Sequence, residues 1–141
     1  MANSYTLLEK TIFQKVASVM TATGITLPLF LPNQAGAGEG GPFVRASVKP
    51  GSGVQAILGA VSYGELITGL LFVEVHGERH EGTSTVNDLA DKLKTGLKHQ
   101  ALPDGNGKYV NLLTPLKIDV GERPDDQFYQ VNVQVPFDYQ T

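Results

Sequence analysis

The stretch Phe128–Tyr139, FYQVNVQVPFDY, alternates between apolar and polar residues more regularly than any other part of the chain. Its apolar members are Tyr129, Val131, Val133, Val135 and Phe137, and its polar members are Gln130, Asn132 and Gln134. Because successive side chains of a strand point to opposite faces, the pattern predicts a long strand with one buried and one polar face. A second layer of structure must then cover the buried face.

Three further segments have the pattern of strands. In Phe43–Lys49 the apolar side carries Val44, Ala46 and Val48, and the other side carries Arg45, Ser47 and Lys49. In Leu66–His76 one side carries Leu71, Val73 and Val75, and the other carries Leu70, Phe72, Glu74 and His76. A fourth strand is predicted near Leu116–Val120.

Two segments have helical periodicity, with apolar residues at three- and four-residue steps. The first runs from Tyr5 to about Met20 and ends near Gly24, with Leu8, Ile12, Val16 and Val19 on one stripe. The second, TSTVNDLADKLKTGLK, places Val86, Leu89, Ala90, Leu93 and Leu97 on one stripe. These stripes are suited to cover the apolar face of a sheet.

The order helix, strand, strand, helix, strand, strand predicts an α+β fold: an antiparallel or mixed four-stranded sheet with both helices packed on one face. The length of 141 residues indicates a single domain, 1–141. Glycine- and proline-rich stretches predict mobile loops near 33–42 and 50–64.

Composition excludes several functions. The net charge of −3 provides no strongly basic surface for gripping nucleic acid, and the lack of cysteine excludes disulfides and thiolate sites. No apolar run approaches the roughly 20 residues of a membrane-spanning helix, and the N-terminus lacks the pattern of a signal peptide. We therefore expect a protein made in the cytoplasm without a membrane partner.

The segment HGERHEG, residues 76–82, raises the possibility of a metal site. On an extended strand His76, Glu78 and His80 would share one side, and two imidazoles with a carboxylate form a ligand set of zinc and iron. The flanking glycines favour a different interpretation, in which a strand ends and the chain continues to the cap of the second helix. A metal-dependent enzyme remains the rival hypothesis.

Other apparent catalytic motifs fail in context. Gly36–Gly41 matches G-x-G-x-x-G, but a proline and a strand follow it instead of the helix that would bind a phosphate. Asp125 and Asp126 form a carboxylate pair in a predicted turn, and Asp88 and Asp91 form another on the polar side of the second helix. Neither place provides the burial that would shift a pKa for catalysis. No set of catalytic roles is assembled, so we expect no enzyme and no cofactor.

The layout of the chain resembles the tail terminator proteins, also called tail completion proteins, of long-tailed bacteriophages. The resemblance covers nearly the whole chain and rests on LFLPN before a glycine-rich loop, on PFVR, on GLLFVEVHGERHEGTSTVNDLADKLKTGL, and on the closing VQVPFDYQT. It implies a structural virion protein that forms a hexameric ring on the tail tube, stops tube polymerisation and offers a joining surface to the head.

From this resemblance we expect three partners: further copies of the chain, the tail tube protein and the head–tail connector protein. DNA would pass through the lumen without sequence-specific binding, and the protein would lie at the head-proximal end of the virion tail. The polar face suggests a lumen set, comprising Gln130, Asn132, Gln134, Glu74 and Glu78. An interface set comprises Arg45, Phe72, His76, Arg79 and His80. Another neck component, such as a head completion protein, is the nearest alternative.

Overall fold

The computed structural model describes residues 4–32, 42–55, 65–78, 84–122 and 128–140. Its helices are α1 (Ser4–Ala22) and α2 (Ser84–Leu97). Its strands are β1 (Leu29–Phe30), β2 (Phe43–Gln55), β3 (Glu65–Glu78), β4 (Ala101–Pro103), β5 (Tyr109–Leu112), β6 (Leu116–Glu122) and β7 (Phe128–Gln140). The structure is therefore a mixed α/β fold with two helices and one sheet.

The long strands predicted from alternation form the centre of the sheet. β7 pairs antiparallel with β3 along its whole length, from Phe128 opposite Glu78 to Gln140 opposite Leu66. β2 pairs antiparallel with the other side of β3. Every second residue of β7 from Val131 to Tyr139 is buried, so the predicted alternation is confirmed.

Within the described residues the sheet has seven strands, so the prediction of four was too low. The additional strands β1, β4 and β5 have two to four residues each, which is too short for a periodic pattern to be recognised. β5 and β6 lie end to end along the same edge of β7. Between them the N–H of Leu113 donates to the carbonyl of Pro136 at 2.8 Å.

Both helices cover the apolar face of the sheet, as predicted. The stripes of α1 and α2 join one core with the inward residues of β2, β3 and β7. Leu8, Ile12 and Val16 of α1 are fully buried, as are Leu93 and Leu97 of α2. Neither described helix has the length and apolar content that crossing a membrane requires.

Two glycines permit close contacts within this core. A Cβ on Gly77 of β3 would lie 2.1 Å from Cγ2 of Val86, and one on Gly96 of α2 would lie 2.4 Å from Cγ1 of Val19. Real Cβ contacts are never this short, so both sites need glycine to keep the present packing. Gly77 of the HGERHEG segment therefore allows the start of α2 to approach the sheet.

The predicted loops are only partly covered by the described residues. The segments 33–41 and 56–64 lie outside them. The prediction of a loop at 50–55 was wrong, because these residues extend β2 and pair with β3 across an irregularity between Pro50 and Gly53. The sequence GSG within this part of the strand hides its alternation.

Candidate functional site

The face of the sheet opposite the helices carries most of the candidate residues, and we call it the open face. Cross-strand partners share a face, so the register identifies its members. They are Phe43, Arg45, Ser47 and Lys49 of β2, Leu70, Phe72, Glu74 and His76 of β3, Leu116 and Ile118 of β6, and Gln130, Asn132 and Gln134 of β7. The sequence therefore placed the polar sides of three strands on one surface correctly.

A hydrogen-bonded network ties β3 to β7 on this face. The side-chain amide of Gln130 donates to Oε1 of Glu74 at 3.3 Å and to Oδ1 of Asn132 at 2.8 Å. Nε2 of His76 lies 3.1 Å from the same Glu74 oxygen. Gln130, Glu74 and His76 thus support one another, and Asn132 lies at the outer end of the network.

One end of the open face is covered. The ring of His76 stacks on Phe43 with centroids 4.2 Å apart and planes 10° apart, and Phe30 of β1 meets Phe43 edge-on at 5.7 Å. As a result Phe43, His76 and Gln130 are only 3%, 6% and 5% exposed. The two-residue strand β1 contributes to this burial, because it places Phe30 against Phe43, which in turn covers the ring of His76.

The other described residues of the face are half-buried or exposed, and their charge is unevenly distributed. The guanidinium of Arg45 lies 5.6 Å from the ring centre of Phe43, and Nζ of Lys49 lies 5.3 Å from that of Phe72. Both contacts are within cation–π range. Asn132 and Gln134 of β7 are half-buried and neutral. Positive charge therefore lies on β2, while β7 presents uncharged amides.

The structure describes some residues of the predicted lumen and interface sets but not others. The structure brings Glu74, His76, Gln130 and Asn132 into contact, and Gln134, Arg45 and Phe72 share their face. Glu78 ends β3, but its side chain lies outside the described part, as do Arg79 and His80 entirely. The lumen and interface assignments therefore remain predictions.

The metal hypothesis also remains a prediction. Among the described residues no three histidine, cysteine or carboxylate side chains gather as a metal site would require. Two of the three proposed ligands, Glu78 and His80, are not described at the side chain. His76 itself is within hydrogen-bonding distance of Glu74.

Sequence reasoning missed an apolar surface. In the described part of the chain the exposed large apolar residues are Tyr109, Leu113, Leu116 and Ile118, all within β5, β6 and their junction. The alternation in LKIDV would ordinarily turn Leu116 and Ile118 toward the core, but their register with Gln134 and Asn132 turns them outward. Lys117 points to the helix side instead, where its Nζ lies 3.0 Å from Oδ1 of Asp91.

A second missed feature is the contact between Asp104 and Tyr139. The carboxylate accepts hydrogen bonds from the hydroxyl of Tyr139 at 2.6 Å and from the N–H groups of Asn106 and Lys108 at 2.7 and 3.2 Å. These bonds, led by that of Tyr139, lower the pKa of Asp104 against the opposing effect of burial. Burial, together with the bond and the charge of Asp104, raises the pKa of Tyr139 to about 12.

Comparison with known proteins supports the fold. No family model and no curated protein matches the sequence. A solved structure of a protein without a descriptive name is similar to this chain with a TM-score of 0.71 and 17% identity, covering 99% of this chain and 98% of the other. The likeness extends over the whole domain and concerns its fold alone.

Proposed function

We propose that this protein is a tail terminator of a long-tailed bacteriophage, a structural protein that caps the tail tube as a ring. The ring ends tube polymerisation and provides the surface on which the head is joined. The open face is the observation that carries the proposal. Both helices lie on one side of the sheet, so the other side remains available to line a channel.

The lumen is assigned to the accessible neutral part of the open face. Basic side chains bind DNA through its phosphates, so a wall past which DNA must slide should avoid them. Asn132 and Gln134 meet this condition, since both are uncharged and half-buried. Gln130 is buried beside this surface, and its hydrogen bonds to Glu74 and Asn132 hold the amide of Asn132 in place.

The ring itself needs two different surfaces that meet when copies are related by rotation. Within the interface set, Arg45 and Phe72 lie on the accessible part of the open face, whereas His76 lies beneath Phe43. Arg45 lies on β2 near the margin of the sheet, where a neighbouring copy can reach it, whereas Phe72 lies on the inner strand β3. Contact with His76 would first require movement of the aromatic cover.

Electron microscopy of phage carrying a tagged copy of this protein tests the proposal. We expect the tag at the head-proximal end of the tail, and we expect deletion of the gene to give overlong tail tubes without heads. A tag located elsewhere, or tubes of normal length joined to heads after deletion, would contradict it. Overlong tubes separate a terminator from another neck protein, whose loss leaves tube length unchanged.

A further inference from the structure

The outer edge of β6 has the properties of a binding edge. Within the described residues β6 pairs with β7 on one side and with no strand on the other. Exposed sheet edges are commonly protected by charged side chains, which discourage pairing with another chain. On the open face β6 instead carries Leu116 and Ile118, which are 58% and 36% exposed. Lys117 does not protect the edge there, because it is bound to Asp91 on the helix side.

The opposite end of the sheet offers a complementary edge on β2. β1 pairs with β2 only at Val44 and Arg45. In the part of the chain that is described, no strand pairs with the outer side of β2 beyond Arg45. Ser47 and Lys49 lie on the open face along this edge. Nζ of Lys49 lies 5.3 Å from the ring centre of Phe72 on the inner strand β3, so its charge is directed away from the edge. The alkyl chain of Lys49 and the hydroxymethyl group of Ser47 could then contact Leu116 and Ile118 of another copy.

Strand direction favours a second copy as the occupant. The strands β2, β3, β7 and β6 are neighbours in this order and are antiparallel at each step. With four alternating strands, β6 runs opposite to β2. A second copy placed beside the first in the same orientation therefore continues the antiparallel pattern, and its helices stay on the same side. A head-to-tail contact of this kind can close into a ring by rotation.

We propose that β6 of one copy pairs antiparallel with the outer edge of β2 of the next copy, which makes one sheet continuous around the assembly. This inference deepens the proposed function, since it assigns the ring interface. The two can fail separately: a ring could form through other surfaces, and the paired edges could exist in a protein that is absent from tails.

Charge on the edge provides the first test. The double substitution Leu116→Lys with Ile118→Lys should raise the dissociation constant for self-association by at least about tenfold, because lysines oppose edge pairing. Tyr109→Lys is the matched control, since Tyr109 is 54% exposed but lies on β5, whose outer edge is covered by β4. Sedimentation velocity measures association and circular dichroism verifies folding. A wild-type chain that stays monomeric, or equal association in both variants, would overturn the inference.

Disulfide trapping identifies the two edges directly, because the chain has no cysteine. Ile118→Cys would be combined in turn with Ser47→Cys and with Lys49→Cys, which samples two registers in which Ile118 lies beyond the part of β2 that β1 covers. Within one copy these edges are separated by three strand spacings, about 14 Å, and a disulfide needs Cα atoms within about 7 Å. Any disulfide must therefore join two copies.

After oxidation, the paired variants should give covalent species larger than a dimer on a non-reducing gel, whereas each single variant stays monomeric. Dimers from Ile118→Cys alone would show that β6 meets another β6. That result would replace the head-to-tail contact with a two-fold one and overturn the inference. So would a lack of cross-linking in both paired variants.

Discussion

At the residue scale, Gly96 shows how one missing side chain controls the contact between the helices. Intrinsic propensity favours alanine over glycine inside a helix by about 1 kcal/mol. At this position, however, the added Cβ would lie 2.4 Å from Cγ1 of Val19. Valine has little rotamer freedom in a helix, so the two helices would have to separate. Overpacking of this kind costs about 1–3 kcal/mol and outweighs the gain in propensity.

We therefore predict that Gly96→Ala lowers the free energy of unfolding by about 1–2 kcal/mol. Adding Val19→Ala should remove the clash, so the double variant should lose less than the sum of the two single losses. Urea denaturation measures all three variants. Thr95→Ala, at the exposed neighbouring position, is the control and should change stability by less than about 0.5 kcal/mol. Additive losses would show that Gly96 and Val19 do not interact in this way.

His76 is the residue whose interpretation differs most between the sequence and the structure. In the sequence it belongs to a histidine- and glutamate-rich segment, a pattern that suggests solvent or a metal. In the structure its ring is stacked on Phe43 and lies beside Glu74, and the side chain is buried. No local pattern indicates this, because the covering residue Phe43 comes from another strand, 33 positions earlier in the sequence.

At the element scale, the predictability of each strand follows from its length. β2, β3 and β7 were recognised because their buried positions recur every second residue. β4 and β5 contain three and four residues and form a hairpin around a glycine-rich turn, so no period could reveal them. β6 was located, but the direction of its apolar side depends on its register against β7. Local alternation cannot determine that register.

The β4–β5 hairpin is anchored to β7 by the bond between Asp104 and Tyr139, which gives stability a pH dependence. Asp104 has a lowered pKa, so its contribution is complete above its ordinary value of about 3.9 and is lost as the pH falls below it. Tyr139 has a pKa raised to about 12. Its contribution is complete below about pH 10 and is lost as the pH rises from about 10 toward 12.

Tyr139→Phe should therefore lower the free energy of unfolding at pH 7 by about 1.5–3 kcal/mol, the usual value of a hydrogen bond to a charged group. The difference in the free energy of unfolding between this variant and the wild-type protein should shrink below about pH 4 and above about pH 10. Urea denaturation across this pH range measures it. Tyr109→Phe is the control, because Tyr109 is exposed and its loss of a hydroxyl should have little effect. A difference that stays constant with pH would contradict the assignment.

At the scale of the whole molecule, one-sided packing connects the fold to a ring. If about six copies join through β2 and β6, about 24 strands surround the axis, and barrels of about 16 strands already leave an aqueous channel. With the helices outside, the β7 part of each open face would line that channel, whereas Arg45 and Lys49 lie on β2, toward the contact with the next copy. Glu74, Gln130 and Asn132 of each copy would then form a repeated hydrogen-bonded layer in its wall.

The uncharged side chains of Asn132 and Gln134, which we assign to the lumen, lead to a prediction about DNA passage. Asn132→Lys combined with Gln134→Lys should leave ring assembly intact, because both side chains are only half-buried. The new charges should slow DNA ejection by binding phosphates, and added salt should restore the rate because phosphate contacts weaken as salt increases. Gln130 is left unchanged, since it is buried and its amide bridges Glu74 and Asn132.

The matched control exchanges the amides without adding charge, as Asn132→Gln with Gln134→Asn, and should eject DNA at the wild-type rate. Fluorescence of a DNA-binding dye in the medium measures ejection from purified phage, and plaque counts measure yield. Equal ejection rates in the lysine and control phages at low salt would place these side chains away from the path of the DNA. Slow ejection that salt does not relieve would point to a distorted ring, because counterions would have weakened the binding of phosphates by the new lysines.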